Sequence, residues 1–353
     1  MTRNIRKDAN LQRGAPGSPA RRRFGLVLPA AAGALLVAAA AAPAAYAQSA
    51  AGAQDWPNRP VRILVAYQAG QGTDVATRYF AEHLTRAFGQ SFIVENRPGA
   101  GGNIGTAAAA KAPADGYTLI MGTVATHTMN QHMYDNLGYD PDADFDPIIL
   151  TGMLPMVISV NPSHPAKTLR ELIDAARAKP DSINVAIPST TARIVHELLK
   201  QRGVVALHPV PYKGSAGAMT DVIGGQVPAT IDTVTATRAQ STTGKLRPLA
   251  ITTARTSELL PGVPSVAEQG VPGFEVTAWN ALYAPKGTPQ PIIDRIAQAM
   301  QRILAQPETR QRLLQIGFEP APADSTPKQL AEFTVSERKK WGEVIKTAGI
   351  RAD

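Results

Sequence analysis

Cysteine is absent from the 353-residue chain. That excludes disulfide scaffolds, thiolate zinc sites, iron–sulfur clusters and thiol nucleophiles together. Aromatic residues are scarce, at 5%, whereas proteins that grip single-stranded nucleic acid stack bases on aromatics and carry positive charge on the folded body. The net charge of +8 does not supply that body charge. Seven basic side chains against the single acid Asp8 place +6 of it within residues 1–47, and the remaining 306 residues carry 29 basic and 27 acidic groups. Nucleic acid is therefore set aside as a partner. With 44% apolar and 18% charged residues, the body is globular rather than disordered. At about 150 residues per domain, its length leaves room for two.

One long apolar run stands out. Arg21-Arg22-Arg23 is followed by Phe24 to Ala42 without a charge, and then by Ala45-Tyr46-Ala47. A basic segment, an apolar segment and a small-residue cleavage pattern are the parts of a secretory signal. Residues 1–47 are read as a cleaved signal, with a resemblance to the twin-arginine type at Arg21-Arg22-Arg23-Phe24. No second run of spanning length follows, so a soluble periplasmic product is expected, with a flexible start over 48–54.

From Asp55 onward, short apolar runs alternate with amphipathic segments. Strands are predicted at 61–66, 92–95, 117–121, 183–187, 207–210, 227–231 and 246–252. Helices are predicted from Thr73 or Asp74 to Gly89, from Asn103 to Lys111, from the Thr168–Glu171 capping box to Ala178, from Thr191 to Arg202, and over 290–305, 307–316 and 327–347. Repeated βαβ patterning implies an α/β fold, mostly parallel sheets with helices on both faces. Ligands of such folds bind beyond the carboxyl ends of strands, where helix N-termini point.

Three strand-to-helix loops carry the chemistry. Tyr67-Gln68-Ala69-Gly70-Gln71-Gly72-Thr73-Asp74 combines glycines with a helix start, a combination that suits an anion. Asp74 is expected to cap the helix rather than meet the anion, because like charges repel. Gly122-Thr123-Val124-Ala125-Thr126-His127 places hydroxyls and a histidine at a strand end, fit for polar contacts or for local bonding of the loop. Pro188-Ser189-Thr190-Thr191-Ala192-Arg193 offers hydroxyls and a guanidinium that could pair with an anion or lie in solvent. A fourth junction, Asn96 to Gly105, could cradle an anion but reads rather as structural, with glycines allowing close packing and Asn103 capping its helix.

Other patterns fail on one or two residues each. Val75 stands where a dinucleotide fingerprint needs its third glycine. Lys200 replaces the second histidine of a zinc-protease helix after His196-Glu197. The alternating Asp140, Asp142, Asp144 and Asp146 lack the calcium-loop glycine at Phe145 and the glutamate at Thr151. Lys213 occupies the first glycine of a nucleophile elbow around Ser215. No cofactor, metal site or catalytic constellation is expected.

Further runs extend along the chain: Trp56-Pro57-Asn58-Arg59-Pro60, Gly72-Thr73-Asp74, Val94-Glu95-Asn96-Arg97-Pro98-Gly99-Ala100-Gly101-Gly102-Asn103-Ile104-Gly105, Ala114-Asp115-Gly116-Tyr117, Val210-Pro211-Tyr212-Lys213-Gly214, Gly224-Gly225-Gln226-Val227 and Ala284-Pro285-Lys286-Gly287-Thr288-Pro289. In this order, over residues 56–350, the sequence resembles the substrate-binding receptors of tripartite tricarboxylate transporters, the Bug receptors. The resemblance implies a type II periplasmic binding protein fold: two α/β lobes with mostly parallel sheets, joined by two crossing segments, with the ligand in the cleft. It places the first lobe at 55–156 and 278–353 and the second at 157–277. It implies a monomer that holds a small carboxylate by backbone N–H groups and hydroxyls, serves the membrane subunits of such a transporter, and is no enzyme. Carried over by position, the contacts are Tyr67, Gly70, Gly72, Thr73 and Asp74 in the first loop. Thr123, Thr126 and His127 follow in the second, then Ser189, Thr190, Thr191 and Asp232, and Arg193 joins them from its own loop. The first loop departs from the family in Gln68, Ala69 and Gln71; the second-lobe loop is about two residues shorter and carries Pro188. Three other readings stay open at this point: a ligand sensor for a membrane kinase, a hydrolase or isomerase using His127 and Asp232, and a structural envelope protein.

Overall fold

The computed structural model describes residues 55–202 and 207–352. The expected signal at 1–47 and the expected flexible start at 48–54 lie outside the described residues.

Strand β1 (Val61–Val65) turns every side chain but Arg62 inward. It pairs in parallel with β2 (Phe92–Asn96) and β3 (Thr118–Thr123). Helix α1 (Gly72–Phe88) covers β1 and β2 and buries Ala76, Phe80 and Leu84 along one stripe. Burying a side chain such as Phe80 or Leu84 contributes about 1.5–3 kcal/mol. Helix α2 (Asn103–Ala110) follows β2, and β3 leads into a π-helical turn, Ala125–Met129.

A second parallel set comprises β5 (Ile183–Ile187), β6 (Leu207–Pro211) and β7 (Ala229–Thr233). Around it run α3 (Leu169–Ala178), α4 (Thr190–Gln201), α5 (Ser215–Ile223) and α6 (Val234–Thr242). Thr168, Ser189 and Thr233 cap α3, α4 and α6 with their hydroxyls.

Two strands that the sequence pattern does not announce join these halves. Strand β4 (Phe145–Val160) is 16 residues long. Its first part, to Pro155, pairs with β9 (Thr277–Pro285); from Met156 onward it pairs with β7, and over Val157–Val160 also with β8 (Arg247–Ile251). Strand β9 closes against β3, so the order runs β2-β1-β3-β9-β4-β7-β5-β6, with the two-residue β10 (Glu319–Pro320) and β8 both on β4. The ladders to β4 and β9 are antiparallel and lie between the two parallel sets. Helices α7 (Gln290–Leu304), α8 (Pro307–Gln315) and α9 (Pro327–Ala348) return to the first half, α7 packing on α1 and β4 and α9 on β4 and the π-helical turn.

One local expectation is corrected. Asn103 does not cap α2: Gly102 is the cap residue, and the Asn103 Oδ1 accepts instead from Asn130 Nδ2 at 2.6 Å and from the Tyr139 hydroxyl at 3.2 Å. Those two bonds tie α2 to the segment after β3, and that tertiary demand overrides the local preference of asparagine for a cap.

Candidate functional site

Strand β1 ends at Val65, and the chain turns back through Tyr67 to Gln71 before α1 begins. Gln71 folds this loop on itself: its side-chain Oε1 accepts the Gln68 N–H at 2.9 Å and its own N–H reaches the Gln68 carbonyl at 3.2 Å. The first amides of α1 have no carbonyl of the helix to bond, and Gly72 at its start lies against the second half of the molecule. The approach is close enough that a Cβ added to Gly72 would lie 2.5 Å from Thr233 Oγ1 and 3.0 Å from Leu154 Cδ2. Gln68 likewise packs directly on Gly214.

A small chamber of about 40 Å³ lies at this junction, lined by Tyr67, Gln71, Gly72, Thr73, Thr123, Leu154, Met156, Ser189, Thr191, Asp232, Thr233, Ala278 and Asn280. Outside it opens a cavity of about 640 Å³, whose walls include Gln68, Pro98, Gly101, Tyr134, Thr190, Arg193, Tyr212 and Lys213. Tyr67, Gln71 and Ser189 line both.

The deep chamber is polar and underbonded. Thr73 Oγ1 donates to Asn280 Oδ1 at 3.2 Å, while Asn280 Nδ2, although 1% exposed, has no partner. Tyr67 and Thr123 share a hydroxyl–hydroxyl bond of 2.9 Å, and burial pushes the Tyr67 phenol up to about 12. Asp232 is 2% exposed; its Oδ1 accepts the Thr233 N–H at 2.7 Å and its Oδ2 is unpartnered. Burial pushes this carboxyl up to about 6, against the opposing pull of the nearby Ser215 hydroxyl and the Thr233 N–H. Buried polar atoms without partners are rare in native proteins and mark places where a ligand or water completes the bonding.

Of the thirteen expected contact residues, Tyr67, Gly72, Thr73, Thr123, Ser189, Thr191 and Asp232 line the deep chamber, and Thr190 and Arg193 line the outer cavity. Four line neither. Gly70 gives its N–H to Asp74 Oδ2 at 2.9 Å. Asp74 is fully engaged in shaping the loop, with Arg78 Nε at 3.0 Å and Asn96 Nδ2 at 2.8 Å on its oxygens. It is the third residue of α1, not its cap, which is Gln71 without a capping side-chain bond. Thr126 Oγ1 accepts the Thr123 N–H at 3.1 Å and braces the strand end from behind. His127 is wholly buried, stacked on Tyr283 with ring centroids 4.1 Å apart, and bonded through Nδ1 to Thr126 Oγ1 at 2.9 Å. Burial, with Arg338 adding to it, pushes its pKa down to about 3. The hydrolase reading fails on this placement: Asp232 lines the chamber and His127 does not.

Other lining residues escaped the sequence reading. Gln68 and Gln71, departures from the family pattern, line these cavities, Gln68 the outer one and Gln71 both. Asn280 was missed with the strand that carries it. Its signal was a single amide interrupting the otherwise apolar Ala278 to Ala284, a position that needs a buried partner.

Comparison with known proteins follows the same lines. The model of the family described as tripartite tricarboxylate transporter family receptor matches residues 76–350. BugT of Bordetella pertussis is 34% identical over 302 residues, 85% of this chain and 92% of its own. Among solved structures, Rpa4515 of R. palustris with adipate superposes with a TM-score of 0.81 at 37% identity, over 84% of this chain and 99% of that one. The periplasmic binding protein BugD gives 0.80 at 34% identity, over 84% and 100%. MatC of Rhodopseudomonas palustris with bound malate gives 0.77 at 31%, over 82% and 100%.

Proposed function

We propose, since this chain belongs to the tripartite tricarboxylate transporter receptor family, that it is an exported solute receptor which clasps a small carboxylate between its two halves. Members of this family are binding receptors, not enzymes. The observation that carries the reading is the convergence, in one chamber, of Gly72 and Thr73 from the first turn of α1 with the unpartnered side-chain amide Nδ2 of Asn280. Backbone amides at a helix start attract negative charge without a competing counter-ion. The similarity to receptors solved with adipate and with malate favours a small dicarboxylate. The 640 Å³ outer cavity would take the far end of such a molecule, beside Arg193 and Lys213.

In this reading residues 55–156 with 278–353 form one lobe and 157–277 the other. The crossing strands β4 and β9 act as the hinge. Closure is a population shift toward contacts made only when the lobes meet, such as Gly72 on Thr233. The closed monomer then hands its ligand to the membrane subunits of a tripartite transporter in the periplasm, after cleavage of the signal at 1–47. A thermal-shift and calorimetric screen of the purified protein against adipate, malate and other mono-, di- and tricarboxylates tests the proposal. Saturable stabilisation by at least one of them is expected; a flat response across the panel contradicts the carboxylate reading.

A further inference from the structure

The deep chamber sets an acid against the wall that attracts anions. Asp232 Oδ2 has no partner, and Gly72 and Thr73 at the head of α1 line the same 40 Å³. Such a space admits about three water-sized spheres, so a ligand carboxylate on the α1 amides lies directly beside Asp232.

Among the described residues, no cation lines the chamber to offset the second charge. Strand β4 contributes Leu154 and Met156, β9 Ala278 and Asn280, and α4 Ser189 and Thr191. Ser215 comes from α5, and Tyr67 and Thr123 from the first half. Helix α1 adds another acid, Asp74, which is already held by Arg78, Asn96 and the Gly70 N–H. Arg193 and Lys213 line the outer cavity, not the chamber. Two carboxylates in one small desolvated space cannot both stay ionised, and the pair holds a proton.

Building on the carboxylate reading above, we infer that the deep chamber captures a ligand carboxylate together with one proton, taken from solvent and shared with Asp232 Oδ2. Asp232 is then the residue that decides which chemical end of a ligand goes deep. As an acid it donates, in concert with the α1 amides and the open Asn280 Nδ2, and a chamber of donors fits a carboxylate. As an anion it would instead favour an ammonium, leaving those other donors unmatched. Burial has already raised Asp232 to about 6, so the proton is taken up at small cost near neutrality.

The test is calorimetric titration of the purified protein with adipate, and with malate as a second probe, at pH 6.5, 7.5 and 8.5. Repeating the pH 7.5 titration in buffers of different ionisation enthalpy counts the protons. Uptake of about one proton per ligand is expected, with Kd weakening about tenfold per pH unit above the Asp232 midpoint. Asp232→Asn, of the same shape but a permanent donor, should bind independently of pH and without proton uptake. A wild-type Kd that is flat in pH, with no proton taken up, overturns the inference while leaving the receptor intact. Loss of adipate binding in Asp232→Asn at every pH also overturns it, because the group would then be needed as an acceptor. Should that variant fail to fold, the proton count on the wild type decides alone. Failure of both probes at every pH, together with a flat response to every carboxylate of the screen, removes the carboxylate reading, and this inference with it.

Discussion

Gly72 and Thr233 meet across the junction of the two halves, with no room for a methyl group between them. Thr233 Oγ1 cannot simply turn away, because it caps α6 by accepting the Ala236 N–H at 3.2 Å. Gly72→Ala should therefore oppose closure. Overpacking of this kind costs about 1–3 kcal/mol, which corresponds to roughly five- to 150-fold in Kd. Calorimetry with a bound carboxylate measures it. Adding Thr233→Ala in the same chain should recover part of the loss, at the expense of an α6 cap worth about 1 kcal/mol of stability.

Thr73 offers a second handle. Its hydroxyl bonds Asn280 and its amide belongs to the first turn of α1. Thr73→Asp places a negative charge where the ligand's own charge is to dock, and should abolish ligand-induced thermal stabilisation. Thr73→Val keeps the shape and removes only the hydrogen bond, a loss of about 1 kcal/mol or several-fold in Kd. Undiminished stabilisation of Thr73→Asp by the same carboxylate would place the anion elsewhere.

Asp232 makes the stability of the ligand-free protein depend on pH. The folded protein holds this proton up to about pH 6, whereas the ordinary carboxyl value is 3.8. Between those values the unfolded chain binds fewer protons than the folded one, so stability falls as pH rises through the window. Above it, the buried anion costs roughly 2–3 kcal/mol relative to acid conditions. Asp232→Asn should therefore raise the melting temperature at pH 7.5 by more than at pH 4.5. Equal shifts at the two pH values would show that the carboxyl keeps its ordinary affinity for protons.

Much of this architecture was legible in the residues. Short apolar runs gave β1, β2, β5 and β6 to within a residue or two, since their alternation with amphipathic helices is set by local pattern. The glycine-rich junction after β2 serves packing at Gly105, where a Cβ would lie 2.5 Å from the Arg97 carbonyl, while Pro98 and Gly101 of the same junction line the outer cavity. The crossing strands were not legible. Strand β4 carries Pro147, Gly152 and Pro155, residues that break a strand pattern, and the register shifts in its ladder with β9 fall beside Pro147 and Gly152. Asn280 went unseen with β9. Residue type marks these loops but does not say which side chains face a cavity. Asp74, Thr126 and His127 have the right residue types near the right strand ends, yet they brace the loops from behind. Tertiary packing decides which way such a side chain turns: Arg78 and Asn96 hold Asp74, and Tyr283 of β9 stacks on His127.

That distinction can be tested at His127. It is buried against Tyr283 and Phe145, and its ring passes so close to Gly122 that a Cβ there would lie 2.5 Å from it. The folded state keeps it neutral down to about pH 3, while the unfolded chain takes up a proton near the ordinary value of 6.5. The unfolded form therefore binds more protons over that range, and stability drops as pH falls from 6.5 toward 3. At about 1.4 kcal/mol per pH unit, acidification from pH 6.5 to 5 should cost roughly 2 kcal/mol through this one residue. His127→Phe retains the ring stack but loses the bond to Thr126, so it should be less stable than the wild type at pH 7.5 by about 1 kcal/mol. Its melting temperature should then fall less steeply on acidification. Because His127 lines neither cavity, the Kd for a carboxylate at pH 7.5 should stay within about twofold of the wild type, a change below 0.5 kcal/mol. A large loss of affinity with an unaltered acid profile would instead return this histidine to the binding site.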